Sequence, residues 1–206
     1  MGAFEDGAPA EAVYSRSARL LHWSSVALLG VQLPLGLFMV RYGEGAAATG
    51  FAAPSGMLCD GHELLGILIL LAAARLAFRL AHGAPPSEPA LAAWQKTLSH
   101  VTHHITHQVT HWAIYAMLFA VSLLGWLAIS YYRPFRPFGL ALPVFVAENG
   151  DRAERFFAYH CLAAYALIIL IGMHVGAALF HHAIRQDGVM CRMLPGTGLP
   201  RGERRA

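Results

Sequence analysis

From Phe156 to Ile184 the chain runs for twenty-nine residues without an Asp, Glu, Lys or Arg. A helix rises about 1.5 Å per residue, so this stretch outreaches the roughly 30 Å hydrocarbon core of a bilayer. Two further runs are also free of charge: Leu20 to Val40, between Arg19 and Arg41, and Trp112 to Tyr132, closed by Arg133 and Pro134. A weaker one extends from about Gly61 to Leu80, where Glu63, Arg75 and Arg79 leave only Leu64 to Ala74 uncharged. It reads as a span because arginines near a helix end can snorkel to the interface. Only 13% of the residues are charged and 56% are hydrophobic, with a mean hydropathy of +0.47; a soluble domain carries about a quarter charged residues. The expected fold class is an all-α membrane protein, a four-helix transmembrane bundle. Its spans fall at about 20–40, 61–80, 112–132 and 156–184, within a domain of residues 19–185. A flexible segment 1–18 precedes it and a tail 186–206 follows.

Residues 1–18 lack the basic stretch of a secretory signal, so the first apolar run reads as a retained span. With four spans, ten Lys and Arg fall on the side of both termini and five on the other. That bias places both termini in the cytoplasm. The net charge is only +3 and the basic residues are not clustered, which excludes a nucleic-acid surface. Cys59, Cys161 and Cys191 lack the paired spacing of a zinc or iron–sulfur site.

Twelve histidines are the unusual feature, because ionisable groups inside a membrane are costly and mark function. His22 lies just inside the cytoplasmic end of the first span, and His62 starts the second from the opposite side. His160 lies near the start of the last span and His174 fourteen residues deeper. Fourteen residues make nearly four turns, so these two share a face at levels about 21 Å apart. Depth pairs His22 with His174 and His62 with His160. Two opposed imidazoles from different helices suit a haem iron with both axial positions filled by protein. On spacing alone, polar helix contacts and a proton pathway are also open. His181 stays close to the face of His174 and rivals it as a ligand. His100, His103, His104, His107 and His111 read as an interfacial polar helix, with an i, i+4 metal pair as the alternative. His82 reads as a loop residue.

These residues resemble the bacterial type of the cytochrome b561 family, which includes b-type cytochromes associated with nickel hydrogenases. The similar elements are Tyr-Ser-Arg-x-x-Arg-x-x-His-Trp at Tyr14 to Trp23, Gly-His-x-x-x-Gly at Gly61 to Gly66, and Arg75-x-x-x-Arg79. The last helix with His160 and His174 follows, ending in Phe180-His-His-Ala-Ile-Arg-Gln-Asp and then Arg192-Met-Leu-Pro. The likeness covers Tyr14 to Pro195, and the order of the elements carries it. It implies four helices in the bacterial inner membrane and two haem b groups on His22, His62, His160 and His174. It also implies quinone-linked oxidoreductase activity, in some members superoxide oxidation coupled to ubiquinone reduction. The His-Thr run from His100 to Thr110 departs from the short connection expected there.

Arg75 and Arg79 fall at the cytoplasmic end of the second span, where they bind a haem propionate, face quinone, or simply flank the membrane. Arg133, Arg136, Arg152 and Arg155 lie on the other side, as superoxide-steering charges or as loop charges offset by Glu148, Asp151 and Glu154. Trp23, Trp112, Tyr131 and Tyr132 suit an interfacial belt. Gly66 and Gly172 suit close helix packing or approach of a porphyrin. Cys59 and Cys161 read as small apolar residues, with a disulfide as the alternative. Three functions compete: a quinone-coupled enzyme using superoxide, a cytochrome subunit passing electrons between a hydrogenase or periplasmic redox partner and quinone, and a non-redox transporter.

Overall fold

The computed structural model describes residues 14–43, 56–66, 69–132, 137–141, 143–144, 146–186 and 189–194. Among them there is no strand. The helices are α1 (Arg16–Gly43), α2 (Gly56–Leu65), α3 (Ile69–His82), α4 (Ala93–Tyr132) and α5 (Gly150–Phe180). A π-helical turn, His181–Arg185, prolongs α5, and a 3₁₀ turn, Pro137–Gly139, lies between α4 and α5.

Among the described residues three helices are long and apolar enough to cross a membrane, over Arg16–Met39, Val109–Tyr132 and Gly150–Arg185. Their outward faces keep large apolar side chains exposed, such as Leu162 (69%), Ile169 (64%) and Met173 (57%) on α5. In water such a surface would drive aggregation; in lipid it costs nothing. The opposite face of α5 carries His160, Leu167 and His174 at intervals of seven, and Leu167 is 1% exposed. The molecule is a helical membrane bundle.

Within the stretch 61–80 the described residues belong to the end of α2 and to α3, and residues 67–68 lie outside the described part. The His-Thr run is no separate interfacial helix, because α4 continues without a break from Ala93 through it to Tyr132. Forty residues make about 60 Å of helix, twice the hydrocarbon thickness. His82 is not in a loop: it closes α3, with its ring stacked on Phe78 at 4.1 Å.

Local signals explain the ends. Asn149 caps α5, its Oδ1 accepting from the Arg152 N–H at 3.0 Å, and Asp151 in the first turn suits the helix dipole. Gln186 ends the π-helical turn in the left-handed region (φ 52°). Pro34 inside α1 has no N–H, which frees the carbonyl one turn earlier. After α5, residues 189–194 lie across the start of α1, where the Trp23 Nε1–H donates to the Met193 carbonyl at 2.9 Å and Arg19 to that of Leu194 at 3.2 Å.

α4 packs along α5, α1 against α2 and α3, and α3 against α4. α1 and α5 are not among the closely packed pairs, so the space between them stays open. The site lies there.

Candidate functional site

Two histidine pairs face each other across that space. His62 of α2 and His160 of α5 have ring centroids 6.1 Å apart, and His22 of α1 and His174 of α5 have centroids 6.5 Å apart. Each pair joins two helices, and α5 supplies one member at each level. His181, the rival for His174, sits in the π-helical turn with its ring against Phe180 at 6.2 Å. His174 is the residue opposite His22.

The His62 level is an apolar cavity of about 650 Å³ with His62, His160, Gln32, Glu63, Cys59 and Cys161 in its wall. That volume lies inside the roughly 300–1,000 Å³ range of cofactor pockets. Cys59 and Cys161 are not joined by a disulfide. Glycines make room for both rings. A Cβ on Gly36 of α1 would stand 3.0 Å from His62 Cε1, and one on Gly125 of α4 would stand 2.9 Å from His160 Nδ1. By contrast, a Cβ on Gly66 or Gly172 would meet nothing within 4 Å. Those two glycines make no close contact with a described neighbour, and Gly66 lies in the cavity wall. His160 Nδ1 lies 2.8 Å from the Val121 carbonyl oxygen. A carbonyl only accepts, so Nδ1 carries the proton and Nε2 keeps its lone pair. The Nδ1 atoms of His22 and His62 are buried without a hydrogen-bond partner.

The His22 level is more polar. Arg75 of α3 holds its guanidinium 5.9 Å from the centre of the Tyr115 ring on α4, within cation–π range. It acts electrostatically on both His22 and His174. Arg79 lies one turn further and adds its charge beside Arg75. Tyr115 is 6% exposed and its hydroxyl has no partner. His111, one turn before Tyr115, packs edge-on against His174 at 4.9 Å. The side chains of His100, His103, His104 and His107 lie outside the described residues, as do those of Arg133 and Arg136. Among the described residues no three His, Cys, Asp or Glu form a metal cluster.

A family model described as prokaryotic cytochrome b561 matches residues 13–196. The chain belongs to the prokaryotic cytochrome b561 family. A "Probable superoxide oxidase CybB" from Yersinia pestis is 35% identical over 137 residues, covering 65% of this chain and 73% of that protein. From Escherichia coli K12, "Cytochrome b561 homolog 2" is 27% identical over 186 residues (88% and 90% covered). "Cytochrome b561 homolog 1", from the same strain, is 26% identical over 184 residues (88% and 97%). A cytochrome b561 is a membrane electron-transfer protein of the b-haem class, and this chain shares that character.

The residues of this cytochrome b561 fit such a group. Two imidazoles meeting one metal at about 2 Å each hold their centroids roughly 6 Å apart. The notches at Gly36 and Gly125, the apolar cavity and the Nε2 lone pair of His160 suit a flat apolar ligand held by nitrogen.

Gln32, Gly36, Tyr115 and Gly125 escaped sequence reasoning, and His111 was read only within the interfacial polar cluster, although three of the five carried a readable signal. Gly36 follows His22 by fourteen residues and Gly125 follows His111 by fourteen, the spacing that joins His160 and His174. The midpoint of each interval is a leucine, Leu29, Leu118 or Leu167, and all three reach the cavity wall.

Proposed function

We propose that this cytochrome b561 carries electrons across the bacterial inner membrane through two haem b groups, from superoxide on the periplasmic side to ubiquinone. The observation that supports it most is the pair of facing imidazole couples, at 6.1 and 6.5 Å, on two levels of one helix. His62 and His160 would hold the haem on the periplasmic side, and His22 and His174 the one on the cytoplasmic side. Bound there, haem supplies a one-electron iron couple.

The protein's part is to position and to insulate. By giving its Nδ1 proton to the Val121 carbonyl, His160 is fixed in the tautomer that presents Nε2 to a metal. With an imidazole from each of two helices, each pair would hold its haem from both sides, and the group would supply electron transfer without binding oxygen. Arg75, with Arg79 beside it and the Tyr115 hydroxyl opposite, offers donors to propionate carboxylates at the cytoplasmic level. Both termini on the cytoplasmic side agree with the ten-to-five distribution of Lys and Arg.

Superoxide as donor is supported by the printed name of the Yersinia pestis relative. Arg152 and Arg155 in the first turns of α5 place positive charge near the His160 level, where they draw an anion in. The reaction balances as two superoxide anions each losing one electron to become dioxygen, while one quinone takes two electrons and two protons to become quinol.

Two measurements test this reading. The reduced-minus-oxidised visible spectrum with a haem assay should give two haem b per chain, and a colourless protein overturns the whole reading. Superoxide supplied to the purified protein in lipid should reduce ubiquinone; a haem-loaded protein that never does so overturns the donor and acceptor assignment.

A further inference from the structure

The two ligands at the His62 level are seated by the same device, with one part missing. His160 rests on Gly125, and its Nδ1–H reaches the carbonyl of Val121, four residues earlier on α4. His62 rests on Gly36 of α1, with its Nδ1 3.6 Å from the position of a Cβ there. Four residues before Gly36 stands Gln32. Its side chain already holds the same residue, because Gln32 Nε2 donates to the His62 backbone carbonyl at 3.0 Å.

That bond fixes which way the amide faces. A carbonyl cannot donate, so the nitrogen must point at it and Oε1 must point elsewhere. Oε1 is buried with no partner, and His62 Nδ1 is buried with no partner. One is an acceptor without a donor; the other can be a donor without an acceptor. Both belong to residues in the wall of one apolar cavity, where an unpaired polar atom costs about 1–3 kcal/mol.

We infer that Gln32 is a positioning residue for His62, its amide oxygen accepting the Nδ1–H of the ligating ring as the Val121 carbonyl does for His160. This rests on the haem assignment of His62 and adds a residue that sets the ligand's electron richness. A hydrogen bond from Nδ1–H pushes negative charge into the ring, which stabilises ferric over ferrous iron and lowers the potential. Losing a partner of this kind typically changes metal affinity by about 10–100-fold. A tenfold change in ferric-over-ferrous preference moves a one-electron potential by about 59 mV.

The test is redox titration of the full-length protein in lipid, with the ferric haems resolved by electron paramagnetic resonance. Gln32→Met keeps length and burial but accepts no strong hydrogen bond; one of the two haems should rise in potential by about 59 mV or more per tenfold change. Gln32→Glu keeps an acceptor and strengthens it, so the same haem should move downward. A purely structural tie between α1 and α2 would shift both variants the same way. Unchanged potentials in both, or shifts of the same sign, overturn the inference, and if Gln32→Met fails to accumulate, the sign in Gln32→Glu decides. A wild-type protein without haem would refute the ligand assignment instead.

Discussion

The substitution Gly125→Ala adds a single methyl group where the His160 ring already stands. The new Cβ would lie 2.9 Å from Nδ1 and 3.0 Å from Cε1, closer than such atoms tolerate. The ring cannot simply swing away, because its Nδ1–H is bonded to the Val121 carbonyl at 2.8 Å. Overpacking of this kind costs about 1–3 kcal/mol. Loss of the hydrogen bond adds about 0.5–1.5 kcal/mol. Together they weaken ligation at this level by roughly ten- to a thousandfold, at about 1.4 kcal/mol per tenfold. The assay is haem content per chain after detergent purification, with the reduced spectrum resolving the two haems. Haem should fall from two towards one, with the His22 level unaffected. Gly36→Ala should act in the same direction but more weakly, since its Cβ meets His62 Cε1 at 3.0 Å and comes no nearer to Nδ1 than 3.6 Å. Gly172→Ala meets nothing within 4 Å and serves as the control. A Gly125→Ala protein with two haems and an unaltered spectrum would refute the reasoning.

Other predictions follow from the same geometry. His160→Ala and His22→Ala should each remove one haem, and the haem that survives in His160→Ala should titrate at the higher potential; equal or reversed midpoints would contradict this. Tyr115→Phe and Arg75→Gln should each speed haem loss from the His22 level alone, followed by competition with apomyoglobin, and loss from both levels would argue against local contacts. Asn149→Ala removes the acceptor of the Arg152 N–H at 3.0 Å, and a lost cap of about 1 kcal/mol lowers the Tm by about 2–4 °C in a protein of this size. An unchanged Tm would show that water replaces the cap.

The long apolar runs at 20–40, 112–132 and 156–184 were legible because lipid leaves one dominant rule, a continuous uncharged helix. The pairings of His22 with His174 and of His62 with His160 were legible from depth alone, since helical rise converts residue number into height. What sequence did not reveal is where atoms must be absent. Gly66 and Gly172 look no different from Gly36 and Gly125 until the neighbouring helix is in place. The continuity of α4 through the His-Thr run was also hidden, because Thr and His have middling helix propensity and a long neighbour can override it. Nothing in the sequence singled out Tyr115; its buried ring beside Arg75 depends on how α3 lies against α4.

The two levels are built alike from opposed histidines, yet they differ in charge, and that difference would give the proposed electron path a direction. At the His22 level Arg75 acts on both ring ligands, and a nearby positive charge favours the iron state of lower charge. Among the described residues lining the His62 cavity there is no Lys or Arg, and its one carboxyl side chain is Glu63. A unit charge about 10 Å away at an effective dielectric near 20 is worth about 1.7 kcal/mol, or roughly 70 mV at about 2.3 kcal/mol per 100 mV. On the proposed haem assignment, an electron arriving at His62 and His160 would therefore run downhill towards His22 and His174, past the mid-interval leucines Leu29, Leu118 and Leu167. Those leucines line an apolar gap between levels about 21 Å apart in helix rise, which is what an electron path that excludes protons requires.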